Sequence, residues 1–167
     1  MNATGQRKQF EVLLAALLEA CEKVYGSRLV SVAVFGSVGR DSARADSDID
    51  LLVVAEPLPE GRLKRVEEFS AVEDLMRDVL ERARRSGVET YLSPVLKSPE
   101  EVRIGSPLFL DMVDDAQILL DREGFLAAEL ARLRDRLEAL GARRVRRAGA
   151  WYWDLKPDYR IGEEFEL

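Results

Sequence analysis

Two apolar runs joined by a short polar loop constrain the fold of this chain more than any other feature. The runs RLVSVAVFG and DIDLLVVAE occupy residues 28–36 and 48–56 of the 167, and the loop between them reads SVGRDSARADS. Both runs are dense in aliphatic side chains and lack regular polar alternation, which is typical of strands in the interior of a sheet. Pro57 and Pro59 end the second run. We therefore predict a sheet that contains these two strands in its interior.

The rest of the chain supplies helices and two further strands. Apolar residues recur at helical spacing in three long segments. The predicted helices cover about residues 5–25, 62–87 and 122–141, and shorter ones start near residues 98 and 106. The predicted third strand is VETYLSPVLKS, and a fourth lies around residues 117–120. This order predicts an α/β domain with a small mixed β-sheet flanked by helices.

Two residue counts restrict the chemistry that is available to this protein. The sequence contains no histidine and a single cysteine, Cys21. An internal disulfide, a histidine-based zinc site and catalysis by Ser-His-Asp or Cys-His groups are therefore excluded. Any metal must be held by oxygen ligands, which favours magnesium or manganese.

The sequence gives no sign of a membrane span or a signal peptide. No apolar stretch approaches the roughly 20 residues that cross a bilayer. The first apolar stretch is flanked by Glu11 and Glu19 and has no small-residue cleavage site, unlike a signal peptide. We therefore expect a cytoplasmic protein with no membrane partner.

The C-terminal segment combines positive charge with aromatic side chains. The residues concerned are Arg143, Arg144, Arg146, Arg147, Trp151, Tyr152, Trp153 and Lys156. Such residues bind single-stranded nucleic acid in some proteins and anchor protein interfaces in others. A net charge of −6 argues against nonspecific nucleic-acid binding, which depends on neutralising phosphates. We favour a tail that folds back on the domain, with a protein interface or nucleic-acid binding through Arg143–Lys156 as alternatives.

Two acidic residues interrupt the second apolar run. Successive side chains of a strand point to opposite faces, so Asp48 and Asp50 project on the same face. Two carboxylates held so close repel each other unless a cation lies between them, and a divalent ion meets that need. Gly36 and Ser37, where the first run ends, permit a tight turn that approaches a ligand such as phosphate. The pattern predicts a metal site beside a phosphate site, as phosphoryl or nucleotidyl transfer requires.

Turn chemistry offers another interpretation of these acidic residues, because Asp46, Ser47 and Asp48 all favour turns and caps. It does not account for Asp50, which lies inside the apolar run, where an unpaired charge is costly. Two other kinds of phosphate loop do not fit. The loop has no Gly-Lys-Ser/Thr, as a Walker loop would, and its glycines lack the spacing of a dinucleotide-binding fingerprint.

The segment FGSVGRDSARADSDIDLLVV resembles the signature of the DNA polymerase β-type nucleotidyltransferase superfamily, in which Gly-Ser precedes Asp-x-Asp by about ten residues. Here ten residues separate Ser37 from Asp48. The short chain, and SPLFLDMVDDAQILLD near the position of the last core strand, make it similar to the minimal nucleotidyltransferases, or MNT proteins. Their partners are often HEPN proteins in prokaryotic toxin–antitoxin pairs. The resemblance covers about residues 10–125.

The resemblance implies a domain organisation and a role for each matching residue. Residues 1–125 would form a domain of nucleotidyltransferase fold, and residues 126–167 a helix and a basic, aromatic tail packed on it. Gly36 and Ser37 would hold the β- and γ-phosphates of ATP, the substrate. Arg40 would lie near the triphosphate, which its planar guanidinium suits. Asp48 and Asp50 would bind Mg²⁺ or Mn²⁺ as catalytic metal ligands.

Relatives usually add a third acidic residue on a later strand, as a base or a further metal ligand. Glu89 in VETYL is the candidate for this catalytic and metal-binding position. Some relatives carry the acid two positions later, just before a similar Ser-Pro, where this chain has Tyr91. The alternative for Glu89 is an exposed strand-start glutamate without a catalytic role.

The activity expected from the resemblance is transfer of AMP from ATP to an acceptor hydroxyl, on a protein partner such as a HEPN-type toxin. One alternative is an MNT-type antitoxin that acts mainly by binding its HEPN toxin. Another is a small-molecule adenylyltransferase of the aminoglycoside-modifying kind, although the chain leaves little room for the usual drug-binding helical domain. A nucleic-acid polymerase is disfavoured by the acidic net charge and the lack of a thumb-sized segment.

Overall fold

The structure, a computed structural model, describes residues 3–147, 150–160 and 163–165. The strands are β1 (Leu29–Phe35), β2 (Ile49–Ala55), β3 (Leu92–Lys97), β4 (Gln117–Asp121), β5 (Arg143–Arg147) and β6 (Ala150–Asp154). The α-helices are α1 (Ala3–Tyr25), α2 (Gly36–Gly39), α3 (Arg62–Arg85), α4 (Pro99–Ile104), α5 (Leu108–Asp115) and α6 (Phe125–Ala139). Single 3₁₀ turns, Gly26–Arg28 and Arg122–Gly124, precede β1 and α6.

A four-stranded sheet in the order β3-β2-β1-β4 forms the centre of the fold. β1 runs antiparallel to both of its neighbours, whereas β2 and β3 are parallel. The two apolar runs are therefore the interior strands of a mixed sheet, and both predictions are confirmed.

Helices cover both faces of this sheet, which explains why β1 and β2 are apolar throughout. One face of the central strands packs against α1 and α3 and contributes Val32, Val34, Leu51 and Val53. The other face packs against α4, α5 and α6 and contributes Ala33, Phe35, Leu52 and Val54. Because successive strand residues alternate between the faces, Asp50 projects on the side of α4, α5 and α6.

A buried polar contact joins the sheet to α6. The hydroxyl of Ser31, which is fully buried in β1, donates a hydrogen bond to Oδ1 of Asp121 at 2.6 Å. The same carboxylate accepts hydrogen bonds from the backbone N–H groups of Leu126 and Ala127, both at 2.9 Å. Asp121 therefore satisfies free N–H groups at the start of α6 and fixes that helix against the sheet.

The third strand begins later than predicted, at Leu92 rather than at residue 88. The backbone before it bonds elsewhere: the N–H of Val88 donates to Ala83 O at the end of α3, and the N–H of Glu89 donates to Ala45 O. Pairing with β2 starts only where the N–H of Ile49 donates to Tyr91 O at 2.8 Å. The prediction of a strand was correct, and its start was wrong by about four residues.

The C-terminal segment, which shows no periodicity in the sequence, contains a hairpin of β5 and β6. Trp153 in β6 and Leu155 after it pack against the core cluster that α5 and α6 share with the sheet. Residues 148–149 and the side chains of Arg147 and Trp151 lie outside the described residues. The hairpin was missed because RRVRR lacks the alternation that marks a half-buried strand.

No helix among the described residues is both long enough and apolar enough to span a membrane. The two longest, α1 and α3, have 23 and 24 residues, and charged side chains recur along both.

Candidate active site

The antiparallel pairing of β1 with β2 brings the turn after β1 beside the start of β2. Phe35, the last residue of β1, pairs with Asp50. Asp50 is half-buried, and Asp48, one residue before the strand, is exposed. Both carboxylates and the Gly36-Ser37 turn therefore lie at the same end of the central strands.

Gly36 lies against the carboxylate of Asp50. Its φ of 65° falls in the left-handed region, which glycine adopts without strain. A Cβ on this residue would overlap with Oδ2 of Asp50 and would lie 3.4 Å from its Cγ. Both the backbone conformation and the lack of space therefore require glycine at position 36.

The turn that starts at Gly36 is short and closed by backbone hydrogen bonds. The N–H of Arg40 donates to Gly36 O at 3.2 Å, and the N–H of Ser42 donates to Ser37 O at 2.9 Å. Ser37 itself is half-buried in the first turn. The leading N–H groups of such a turn have no partner within it and can meet an anion. The turn is therefore suited to holding a phosphate beside the two carboxylates.

The surroundings of the Asp50 carboxyl disfavour its ionised form in the folded protein. Burial raises its pKa above the ordinary value, and the negative charge of Asp48 raises it further. A hydrogen bond from the side chain of Ser93 and the positive charge of Arg40 act in the opposite direction without cancelling the effect. A carboxylate in this state gains from a bound cation, because the cation replaces lost solvation and screens the second acid.

Arg40, which follows α2, forms an ion pair with the last residue of α5. Its Nη1 lies 3.0 Å from Oδ2 of Asp115, the last residue of α5, and the same oxygen lies 2.9 Å from Nη2 of Arg144 in β5. Burial alone would raise the pKa of Asp115, but the hydrogen bonds from Arg144 and Arg40 outweigh it and hold the pKa below its usual range. Arg40 is thus an anchored cation next to the predicted phosphate turn.

Glu89 stands apart from the two aspartates. It lies in the irregular backbone before β3, is exposed, and has its carboxylate 3.8 Å from Nε of Arg84 at the end of α3. Its backbone N–H donates to Ala45 O at 2.7 Å, so it borders the loop that leads to Asp48. The structure therefore places Glu89 beside that loop without joining it to Asp48 and Asp50.

Sequence reasoning did not identify two residues that the fold brings to this site. Ser93 pairs with Asp50 across the parallel β2–β3 ladder, and its side chain lowers the pKa of the Asp50 carboxyl. Asp115 reaches Arg40 from 75 positions further along the chain. The Ser-Pro after Tyr91 was the one available signal for Ser93, whereas nothing in the sequence pattern marks Asp115.

The residues present fit a hard divalent cation. Asp48 and Asp50 offer carboxylate oxygens at the same end of the sheet, and a Cβ would fill the space between Gly36 and the Asp50 carboxylate. Within the described ranges no cluster of three or more acidic, histidine or cysteine side chains is arranged for metal binding. Two carboxylates suit Mg²⁺, which usually keeps several waters and takes further oxygen ligands from substrate phosphates.

Comparison with known proteins identifies the class to which this site belongs. The family model described as "Nucleotidyltransferase domain" matches residues 14–103, a span that includes the Gly36-Ser37 turn, both aspartates and β3. That span is more than half of the chain, and the chain therefore belongs to the nucleotidyltransferase domain family. The resemblance found in the sequence is confirmed.

One similar protein is named as a protein adenylyltransferase. The chain is 33% identical over 130 residues to "Putative protein adenylyltransferase" of Methanocaldococcus jannaschii, and the match covers 76% of this chain and 82% of the relative.

Solved structures also show a distant likeness. One is a tri-AMPylated HEPN toxin of Shewanella oneidensis in complex with an MNT antitoxin, with a TM-score of 0.41, 13% identity and coverage of 77% of this chain and 89% of that one. Another is a toxin–antitoxin structure with AMP-PNP, with a TM-score of 0.42, 13% identity and coverage of 75% and 90%. At TM-scores below 0.5 these likenesses define neither fold nor function for this chain.

The contact between Gly36 and Asp50 predicts an unusually costly alanine substitution. Gly36→Ala should lose the roughly 1–2 kcal/mol of a left-handed non-glycine residue and, in addition, displace the Asp50 carboxylate. Gly124→Ala is the matched control, because Gly124 has the same φ of 65° and nothing within 4 Å of a Cβ. Urea unfolding measures the free energy of unfolding of both variants. The difference between their losses is the cost of the overlap with Asp50. Equal losses of stability would show that Asp50 does not occupy the space beside Gly36.

The raised pKa of Asp50 predicts that Asp50→Asn stabilises the protein in EDTA. Because the folded pKa lies above the unfolded one, ionised Asp50 opposes folding at neutral pH, and this cost disappears as pH falls through the folded pKa. We expect a higher Tm than that of the wild type at pH 7, with a difference that shrinks as the pH falls through the pKa of folded Asp50. Added Mg²⁺ should stabilise the wild type only. Asp46→Asn, at an exposed loop position, is the control, and a lower Tm for Asp50→Asn would contradict the prediction.

Proposed function

We propose that this protein is a Mg²⁺- or Mn²⁺-dependent adenylyltransferase that transfers AMP from ATP to a hydroxyl group of a partner protein. The observation that carries the proposal is the contact of Gly36 with Asp50, whose carboxyl also feels the charge of nearby Asp48. A turn suited to phosphate and two carboxylates suited to a cation meet there, as nucleotidyl transfer requires. Membership of the nucleotidyltransferase domain family supports the same chemistry.

Each residue of the site has a defined task in this reaction. Asp48 and Asp50 would hold the metal, which when bound neutralises phosphate charge and aligns the acceptor oxygen with the leaving pyrophosphate. Ser93, the partner of Asp50 in the sheet, would favour the ionised form of that carboxylate. The turn at Gly36 and Ser37 would cradle the β- and γ-phosphates, and Arg40 would offset the charge of the departing pyrophosphate.

A protein acceptor is favoured by a relative and by the shape of the site. The archaeal relative that is 33% identical carries the name of a protein adenylyltransferase. Asp48 is exposed and Asp50 is half-buried, and neither lines the grooves of about 820, 740 and 700 Å³ among the described residues. The carboxylates therefore lie on an open rim, and a partner must supply the surfaces that hold the acceptor hydroxyl in line. The MNT resemblance suggests a HEPN-type toxin as that partner.

Glu89 is proposed as the general base that takes the proton from the acceptor hydroxyl. Its neighbouring loop leads to Asp48, and its ion pair with Arg84 is long and exposed, so the carboxylate can turn to a bound acceptor at little cost.

Glu89→Gln should lower the transfer rate by about 10²–10⁴-fold and leave ATP binding unchanged, because a base acts on the acceptor and not on the nucleotide. Transfer is measured by adenylylation of the partner and binding by calorimetry. Arg84→Gln, which removes the ion-pair partner, should leave the transfer rate unchanged. Equal transfer by Glu89→Gln and wild type would assign the base to another group.

Co-expression with a HEPN-type protein encoded beside the gene tests the acceptor. We expect an increase in the intact mass of the partner by one or more AMP units, and Asp48→Asn or Asp50→Asn should abolish it. A tight complex without added mass would instead support an antitoxin that acts by binding. A partner that is neither bound nor modified would overturn the HEPN assignment.

A further inference from the structure

A line of three alternating charges connects the active site to the C-terminal hairpin. Oδ2 of Asp115 lies 3.0 Å from Nη1 of Arg40 and 2.9 Å from Nη2 of Arg144. Asp111, one turn earlier in α5, also approaches Nη2 of Arg144, at 3.8 Å. One carboxylate oxygen of Asp115 therefore pairs with two arginines, Arg40 after the Gly36-Ser37 turn and Arg144 in β5.

Burial orders these three groups from the interior outwards. The side chains of Asp115 and Arg144 are 10% and 19% exposed, whereas that of Arg40 is 41% exposed. Asp115 and Arg144 therefore form the inner pair, which is screened less by solvent, and Arg40 is the outer, more exposed member.

The backbone holds the same parts together. A Cβ on Gly39 would overlap with the carbonyl oxygen of Asp115 and would lie 2.9 Å from that of Val34. The end of α2 is thus packed directly on the end of α5, with no room for a side chain between them. Arg40, the next residue, has little freedom to leave Asp115 by moving its backbone.

We propose that Arg144 is a positioning residue of the nucleotide site: by neutralising Asp115, it leaves the charge of Arg40 available to the triphosphate. Arg40, Asp115 and Arg144 together carry one net positive charge. Without Arg144, Asp115 would pair with Arg40 alone, and the net charge of the group would fall to zero. The hairpin then contributes to nucleotide affinity without touching the nucleotide, and this inference rests on the function proposed above.

Calorimetric titration with a non-hydrolysable ATP analogue and with AMP, both with Mg²⁺, tests the proposal. Arg144→Gln should weaken binding of the analogue about fivefold, as expected for one exposed charge interaction, and leave AMP binding unchanged. Arg144→Lys should bind like the wild type. Removing both charges in Asp115→Asn/Arg144→Gln should restore affinity, because Arg40 is then no longer neutralised. Arg143→Gln is the matched control, since exposed Arg143 faces Asp154 at 4.0 Å.

Three results would overturn the proposal: unchanged binding of the analogue by Arg144→Gln, equal losses for the analogue and AMP, or no recovery in the double variant. If Arg144→Gln does not fold, Asp115→Asn gives a second measurement. It should bind the analogue at least as tightly as the wild type, whereas a merely structural role for Asp115 requires weaker binding.

Two other variants test the proposed function separately from the role of Arg144. Arg40→Gln and Asp48→Asn should each weaken binding of the analogue if the nucleotide site is assigned correctly. Unchanged binding by both would refute that site. Weaker binding by both, with no effect of Arg144→Gln, would refute the role of Arg144 alone.

Discussion

The candidate active site depends on the close approach of Gly36 to the carboxylate of Asp50. Antiparallel pairing of β1 with β2 produces it by setting Phe35 opposite Asp50. A side chain at position 36 would separate the two strand ends and remove the carboxylate from the phosphate turn. The chemistry of the site is therefore fixed by the register of the two most buried strands, which the apolar packing on both faces of the sheet maintains.

Two carboxyl groups at this end of the sheet have pKa values shifted in opposite directions. Asp50 is held in an environment that disfavours its negative charge, whereas Asp115 is held in one that favours it. The first group is poised to accept a cation, and the second is already satisfied by two arginines. This difference separates the carboxylate that we propose as a metal ligand from the one with a structural role, although both lie within reach of Arg40.

The sequence permitted prediction of the elements that depend on local pattern. The interior strands, the long helices and the Gly-Ser to Asp-x-Asp spacing all follow from periodicity and from residues close along the chain. The position of Ser93 beside Asp50 depends on the register of a parallel pair, which hydrophobic pattern does not specify. Asp115 escaped prediction because its contact with Arg40 joins residues 75 positions apart, and the C-terminal hairpin was missed because RRVRR shows no strand alternation.

The two halves of the site differ in how far apart their parts lie along the chain. Gly36, Asp48 and Asp50 belong to one strand–turn–strand unit, whose closure costs little chain entropy. Arg40 and Asp115 are 75 residues apart, and their pairing requires β1, α5 and the sheet to be already assembled. Contacts of long sequence separation are slow to form. Asp48 and Asp50 can therefore be brought beside Gly36 early in folding, and the Arg40–Asp115 ion pair can form later. A newly made chain would then bring its two aspartates beside Gly36 before Arg40 is fixed by Asp115.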